Sequence, residues 1–253
     1  MRVPENRFKR ALAQDQRQIG LWSTLGSAMV AELVGHAGFD WLLIDTEHSP
    51  NELPAIVAQL QAMQTGTASA VVRPAWNDPV LIKRILDIGV QSLLIPFVET
   101  AEAAERAVAA TRYPPDGIRG VSTGSRAAGY GRIKDYPKAA GAEICVLVQI
   151  ETLKGVENID AIAAVPGVDG VFVGPADLSA SLGHLGDHLN PAVQDKIAQV
   201  LAACRKAGKP TGYLTGNEAE AQKWLDAGFC FVAVGTDNSI LVKAADELRA
   251  RFR

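Results

Sequence analysis

The sequence has no apolar run longer than a strand. Stretches such as SLLIPFV at 92–98 fall far short of the ~20 apolar residues a membrane-spanning helix needs. It has no basic tract either. Its 25 Lys and Arg and 28 Asp and Glu are interspersed, for a net charge of −3, so the electrostatic footprint of a nucleic-acid binder is missing. Cysteine is scarce: Cys145, Cys204 and Cys230 lie far apart, with no CxxC pair. Two sit in apolar runs and Cys204 in a helical pattern, which predicts buried free thiols in a reducing compartment. The opening stretch MRVPENRFKRALAQDQRQ is too charged for a signal peptide's apolar region, and the expectation is a cytoplasmic protein. No GxGxxG follows the first strand-like run, which weighs against a doubly wound dinucleotide-binding sheet, the second choice of fold.

What is present is a repeating unit. With 253 residues, 48% of them hydrophobic, the chain can bury one large core, and no linker or low-complexity tract divides it, so 1–253 is expected to be a single domain. AGFDWLLID (37–45), IGVQSLLIP (88–96), PGVDGVFVG (166–174) and AGFCFVAVG (227–235) share one pattern: a glycine, an apolar residue, two variable residues, then an apolar triplet. The glycine suits the left-handed position that ends a helix. The triplet suits a strand buried on both faces of a parallel sheet. IGLWSTL (19–25), ASAVVRPA (68–75), CVLVQIE (145–151) and PTGYLTG (210–216) supply four more strands. Each of the eight precedes a helical pattern, with starts marked at Asn77-Asp78-Pro79, Thr100-Ala101-Glu102, Asn190-Pro191 and Asn217-Glu218. Eight strand–helix units predict an α/β protein of the (β/α)8 TIM-barrel type. The longest connection, 114–142, carries six glycines and three arginines and is expected to be an active-site lid.

In such a barrel the chemistry sits where the strands end. Those positions hold Trp22 and Ser23; Asp45, Glu47 and His48; Arg73; Gln149 and Glu151; Pro175, Ala176 and Asp177; Leu214 and Thr215; and Asp237. Glu151 and Asp177 read either as first-turn acids of the following helices or as a pair from adjacent strands that shares a hard cation, Mg²⁺ or Mn²⁺. His48 reads either as a packed histidine bonded to Asp45 or as a general base. Arg73 ends an apolar strand and needs an anion, which is Asp45, Glu47 or a substrate carboxylate. His36, His184 and His188 have no comparable setting. No lysine projects from a strand end, Lys154 being three residues past Glu151, so Schiff-base chemistry is not expected and a metal is left to polarise the substrate.

The stretches GLW (20–22), AGFDWLLIDTEHSPN (37–51), VVRPAWNDPVLIKRILDIG (71–89), ATRYPPDGIRGV (110–121), CVLVQIET (145–152), VDGVFVGPADLSASLG (168–183) and FVAVGTD (231–237) cover nearly the whole chain in order. In these the sequence resembles the HpcH/HpaI aldolases, metal-dependent class II pyruvate aldolases of the phosphoenolpyruvate/pyruvate barrel superfamily. The resemblance implies cleavage of a 4-hydroxy-2-oxo acid into pyruvate and an aldehyde. It implies Glu151 and Asp177 as ligands of a divalent cation (Mg²⁺, Mn²⁺ or Co²⁺). Trp22, Gln149, Leu214 and the N–H groups of Ala176 and Asp177 would bind substrate. Arg73 would stabilise the enolate, and His48 would act as base or through a metal-bound water, with Asp87 raising its basicity. Asp87 ends a helix and should lie on the opposite face from His48, so that role calls for a neighbouring subunit or an earlier helix end. The resemblance further implies a homohexamer with the C-terminal helix, 239–252, exchanged between paired subunits. Apart from the resemblance, Arg126 or Arg119 on the long loop is expected to grip a distal carboxylate, which would favour a dicarboxylic substrate. Tyr213 beside Leu214 departs from the family pattern on the aldehyde side. A citrate-lyase-like or malyl-coenzyme A type lyase and a non-catalytic oxo-acid-binding barrel are the competing functions.

Overall fold

A computed structural model of the chain describes residues 1–252. Eight parallel strands close into a barrel in sequence order, the last pairing with the first. They are β1 (Gln18–Ser23), β2 (Trp41–Asp45), β3 (Ser69–Arg73), β4 (Ser92–Ile95), β5 (Cys145–Ile150), β6 (Gly170–Val173), β7 (Thr211–Leu214) and β8 (Phe231–Thr236). The helices are α1 (Arg7–Ala13), α2 (Ala28–Gly35), α3 (Leu53–Ala62), α4 (Pro79–Asp87), α5 (Ala101–Thr111), α6 (Tyr136–Glu143), α7 (Leu153–Glu157), α8 (Ile159–Ala163), α9 (Pro175–Ser181), α10 (Pro191–Lys206), α11 (Glu218–Ala227) and α12 (Asp237–Ala250). Among the described residues no helix is long and apolar enough to cross a membrane. All three cysteines are free and buried, as expected.

Local chemistry explains the alternation. The side chains of Asp78, Thr100, Asn190 and Asn217 each accept a hydrogen bond from a first-turn N–H of the helix that follows. The four repeat glycines, Gly38, Gly89, Gly167 and Gly228, have φ of 93°, 98°, 90° and 99°. That is the left-handed turn where a Cβ would be strained, and it lets the chain leave a helix and enter a strand.

Strand residues alternate between two cores. The outward set, including Leu42, Ile44, Val146, Val148 and Tyr213, packs under the helices. The inward set, including Trp22, Trp41, Leu147, Phe172 and Phe231, fills the barrel. Two strand glycines make room for it. A Cβ on Gly20 would overlap the Trp41 indole, and one on Gly212 would overlap the Phe231 ring.

Two features are not contained in the sequence expectations, and the second departs from them. The charged N-terminal segment forms α1, and its fully buried Phe8 closes the barrel floor, with ring centroids 5.7 Å from Trp41 and 5.8 Å from Phe231. Asn6 ties α1 to the strand starts by donating to Ser92 Oγ at 2.9 Å and to the Gln91 carbonyl. The long glycine-rich connection, expected to be a lid, follows α5 and leads into β5, so it runs over the face where strands begin. Arg126 donates to the Ile88 carbonyl at 2.7 Å, and the Ala127 N–H donates to the Asp87 carbonyl, both just ahead of β4. Within one chain this loop cannot cover the mouth.

Replacing Phe8 with alanine is expected to cost about 3–5 kcal/mol, read as a fall in the urea midpoint. A loss below about 1 kcal/mol would show that the floor is closed without this ring.

Candidate active site

The inward alternation that fills the barrel continues past its upper rim, where the inward positions become polar. Asp45, Arg73, Gln149 and Glu151 occupy them, each nearly fully buried. Arg73 meets Asp45 as a two-pronged pair, Nε to Oδ1 at 2.9 Å and Nη2 to Oδ2 at 2.7 Å. Its remaining Nη1 stands 2.9 Å from Glu47 Oε2, and its guanidinium carbon lies 5.2 Å from the Trp22 ring centroid. The anion that Arg73 requires is therefore supplied by both neighbouring carboxylates. Burial pushes Asp45 up, but the hydrogen bonds and charge of Arg73 outweigh it and hold this carboxyl below its ordinary range. For Glu47 burial wins over Arg73, and its carboxyl is raised.

Glu151 has no cationic side chain bonded to it. Its Oε1 accepts from the Phe97 N–H at 2.7 Å and its Oε2 from the Gln149 amide. Phe97 holds φ of 51°, an unusual value for a non-glycine residue, at the end of β4. Burial, the largest effect, with added repulsion from Glu47 and Asp177, raises the Glu151 carboxyl to about 7 despite those two hydrogen bonds. Gly174 keeps the space beside this pair open: a Cβ there would stand 2.7 Å from Glu151 Oε2 and 2.8 Å from Gln149 Nε2. The Gln149 Oε1 is buried without a partner.

Ala176 and Asp177 lie in the first turn of α9, where N–H groups have no partner within the helix. The fit to a hard divalent cation rests on this donor set: two carboxylates, Glu151 just past β5 and Asp177 in the first turn of the helix after the adjacent β6, the first of them raised by burial. Among the described residues no three His, Cys, Asp or Glu side chains group so as to hold a metal ion by themselves.

The other expected residues divide. His48 is not packed on Asp45; its side chain is 62% exposed, with Nε2 3.9 Å from Glu47 Oε2. Trp22 donates from Nε1 to Asp45 Oδ2 at 3.4 Å and lines the same mouth. Leu214 packs on the inner core, whereas Tyr213 points outward and is buried against Trp224 and Phe229. Tyr213 therefore does not face the mouth. Asp237 instead latches the β1–α2 connection, accepting from the Thr24 and Leu25 N–H groups. Asp87 is not brought to His48 within the chain; it pairs with buried Arg119 at 2.8 Å on the far face. Arg119 and Arg126 both lie there, so neither grips a substrate in its own barrel. Lys154 pairs with Glu99 at the surface. The Phe97 N–H escaped the sequence reading because a main-chain donor carries no residue signature.

The family model for HpcH/HpaI aldolase/citrate lyase matches residues 18–244. A 4-hydroxy-2-oxo-heptane-1,7-dioate aldolase of Shigella sonnei is 52% identical over 98% of this chain and 95% of its own. A 5-keto-4-deoxy-D-glucarate aldolase of Klebsiella pneumoniae is 49% identical over 98% and 97%. Among solved structures, an HpcH/HpaI aldolase/citrate lyase family protein from Burkholderia cenocepacia superposes with a TM-score of 0.96 at 43% identity, covering 98% of this chain and 99% of that one. With a match that spans both the barrel and its polar rim, this chain belongs to the HpcH/HpaI aldolase/citrate lyase family.

Proposed function

We propose that the protein is a divalent-metal-dependent class II aldolase that reversibly splits a 4-hydroxy-2-oxo acid into pyruvate and an aldehyde. The observation that carries this is Glu151, buried with two hydrogen bonds but with no cationic side chain bonded to it, close enough to Asp177 to be repelled by it, in a mouth that also holds Arg73 and has no lysine projecting from a strand end. Glu151 and Asp177 would hold the cation, Mg²⁺, Mn²⁺ or Co²⁺, which when bound supplies Lewis acidity toward the 2-oxo acid.

The chain's own residues do the rest. The N–H groups of Ala176 and Asp177 donate to the substrate carboxylate, with the helix dipole behind them. Gln149 contacts the same half of the substrate. Trp22 walls the mouth beside it, and Leu214, at the end of β7, walls the side that receives the aldehyde. His48, exposed at the rim, takes the proton from the C4 hydroxyl. As the C3–C4 bond breaks, the aldehyde leaves and negative charge develops on the enolate oxygen of pyruvate. Arg73 is already fixed by Asp45, so its guanidinium meets that charge without reorganising, which is the main source of rate in such sites. Protonation at C3 releases pyruvate.

The names of the relatives suggest 4-hydroxy-2-oxoheptanedioate or a keto-deoxy sugar acid such as 5-keto-4-deoxy-D-glucarate as substrate. The proposal includes a cytoplasmic homohexamer. α12 supports an exchanged helix: of its residues only Asp237 is buried, while Ile240, Leu241, Val242 and Leu248 are 50%, 60%, 60% and 56% exposed. A neighbour would also be the means by which Asp87 reaches His48.

Pyruvate release from 4-hydroxy-2-oxoheptanedioate, coupled to lactate dehydrogenase, is expected to stop in excess EDTA and return with added Mg²⁺ or Mn²⁺. Release indifferent to EDTA would refute the metal site. A Leu241→Glu, Val242→Glu variant is expected to show a lower mass by light scattering than the hexameric wild type. An unchanged mass would refute the role of α12.

A further inference from the structure

Glu220 is an acid in the first turn of α11, a place where a carboxylate ordinarily faces water and interacts with the helix dipole. Here it is 5% exposed and is the hub of a polar cluster. Its Oε1 accepts from Tyr213 Oη at 2.9 Å and from Gln194 Nε2 at 3.4 Å. Its Oε2 accepts from Thr215 Oγ1 at 2.6 Å and lies 3.2 Å from His188 Nε2. Thr215 Oγ1 in turn accepts from the Asn217 N–H, and Asn217 Oδ1 accepts from the Glu220 N–H. A buried carboxylate persists only where such bonds replace its hydration. Burial would raise this carboxyl, yet the Thr215 and Tyr213 hydroxyls and the charge of His188 hold it below its ordinary range.

The geometry of the strand end gives the cluster its meaning. Successive residues of a strand point to opposite faces. Tyr213 and Thr215 flank Leu214, and both turn outward to the one carboxylate. Leu214, between them, turns inward to the mouth. The two flanking hydroxyls are thus pinned, each to a different oxygen of Glu220, and the residue they bracket has its backbone fixed on both sides. His188, in the segment that leads from α9 to α10, and Gln194, in the first turns of α10, extend the same clamp. Tyr213, whose ring is buried under the helices and does not face the mouth, acts here as an arm of the clamp.

We propose that Glu220 is a positioning residue which, through Tyr213 and Thr215, sets where Leu214 stands and so governs acceptance of the aldehyde, without touching the substrate. This rests on the pyruvate aldolase reading above. It predicts that the two halves of the reaction respond differently to loss of the clamp. Exchange of the pyruvate methyl protons needs only the pyruvate half. Addition of pyruvate to an aldehyde needs both halves.

The test compares full-length wild type with Glu220→Gln and Tyr213→Phe in the presence of Mg²⁺. Deuterium uptake into the methyl group of pyruvate is followed by NMR in D₂O. Addition of pyruvate to glycolaldehyde, propanal and succinic semialdehyde is followed by product formation. Misplacement of a group on the ångström scale can cost up to about a hundredfold, so kcat/KM for the aldehydes should fall by about tenfold or more, unequally across the three. Exchange should stay within about twofold of wild type. In a Leu214→Ala background, Glu220→Gln should add little further loss, because both act through one side chain. Tyr213→Phe keeps the ring packed and so reports even if Glu220→Gln folds poorly. Equal losses in exchange and addition, or a lowered melting temperature with aldehyde kinetics unchanged, would overturn the role of Glu220. A wild type that neither exchanges pyruvate protons nor adds pyruvate to any aldehyde would overturn the aldolase reading itself, and this inference with it.

Discussion

The two-pronged contact between Arg73 and Asp45 organises the mouth of this barrel. It neutralises one carboxylate and leaves Arg73 a single free edge, which it offers to Glu47. Glu151 and Asp177 are left without an equivalent partner, and the strain falls on Glu151, whose carboxyl is raised to about 7. A cluster of this kind is expensive to keep buried unless a cation joins it. In the proposed function, that imbalance is what a hard cation bound beside a carboxylate substrate would relieve.

The scaffold serves that cluster from below. Phe8, Trp41 and Phe231 seal the floor, and Gly20 and Gly212 give those rings their space. Above them the inward positions of β2, β3 and β5 pass from apolar Leu43, Val71 and Leu147 to polar Asp45, Arg73 and Gln149 at the strand end. The polar rim therefore stands on a rigid aromatic base, which keeps Asp45 and Arg73 in register across β2 and β3. On the outer side, Glu220 ties the end of β7 to α11, so one wall of the mouth is held by helix-layer contacts.

Much of this was legible in the sequence for physical reasons. Parallel strands buried on both faces leave continuous apolar runs, and the glycines that end helices mark where each begins, so all eight strands could be placed. Asp45, Arg73, Gln149 and Glu151 were legible because polar residues that terminate apolar runs stand out. Other features left no such mark. α1 is rich in charge and shows its single buried ring only once the barrel floor exists. The 114–142 loop drew attention by its composition, but the order α5, loop, β5 puts it on the far face, together with Arg119, Arg126 and Asp87. Phe97 acts through its backbone. Glu220 sits in the pattern NEAEAQK, which has the look of a solvated helix start, and only the fold turns it inward.

The central claim is that Glu151 completes a binding site for one divalent cation per chain. Titrating metal-stripped protein with Mn²⁺, and following free Mn²⁺ by electron paramagnetic resonance, measures this without reference to turnover. One site per chain is predicted for the wild type, weakened by at least about tenfold in Glu151→Gln, as loss of a ligand to the metal requires. Wild-type protein that binds no Mn²⁺, or a variant that binds it as tightly as the wild type, would contradict the account.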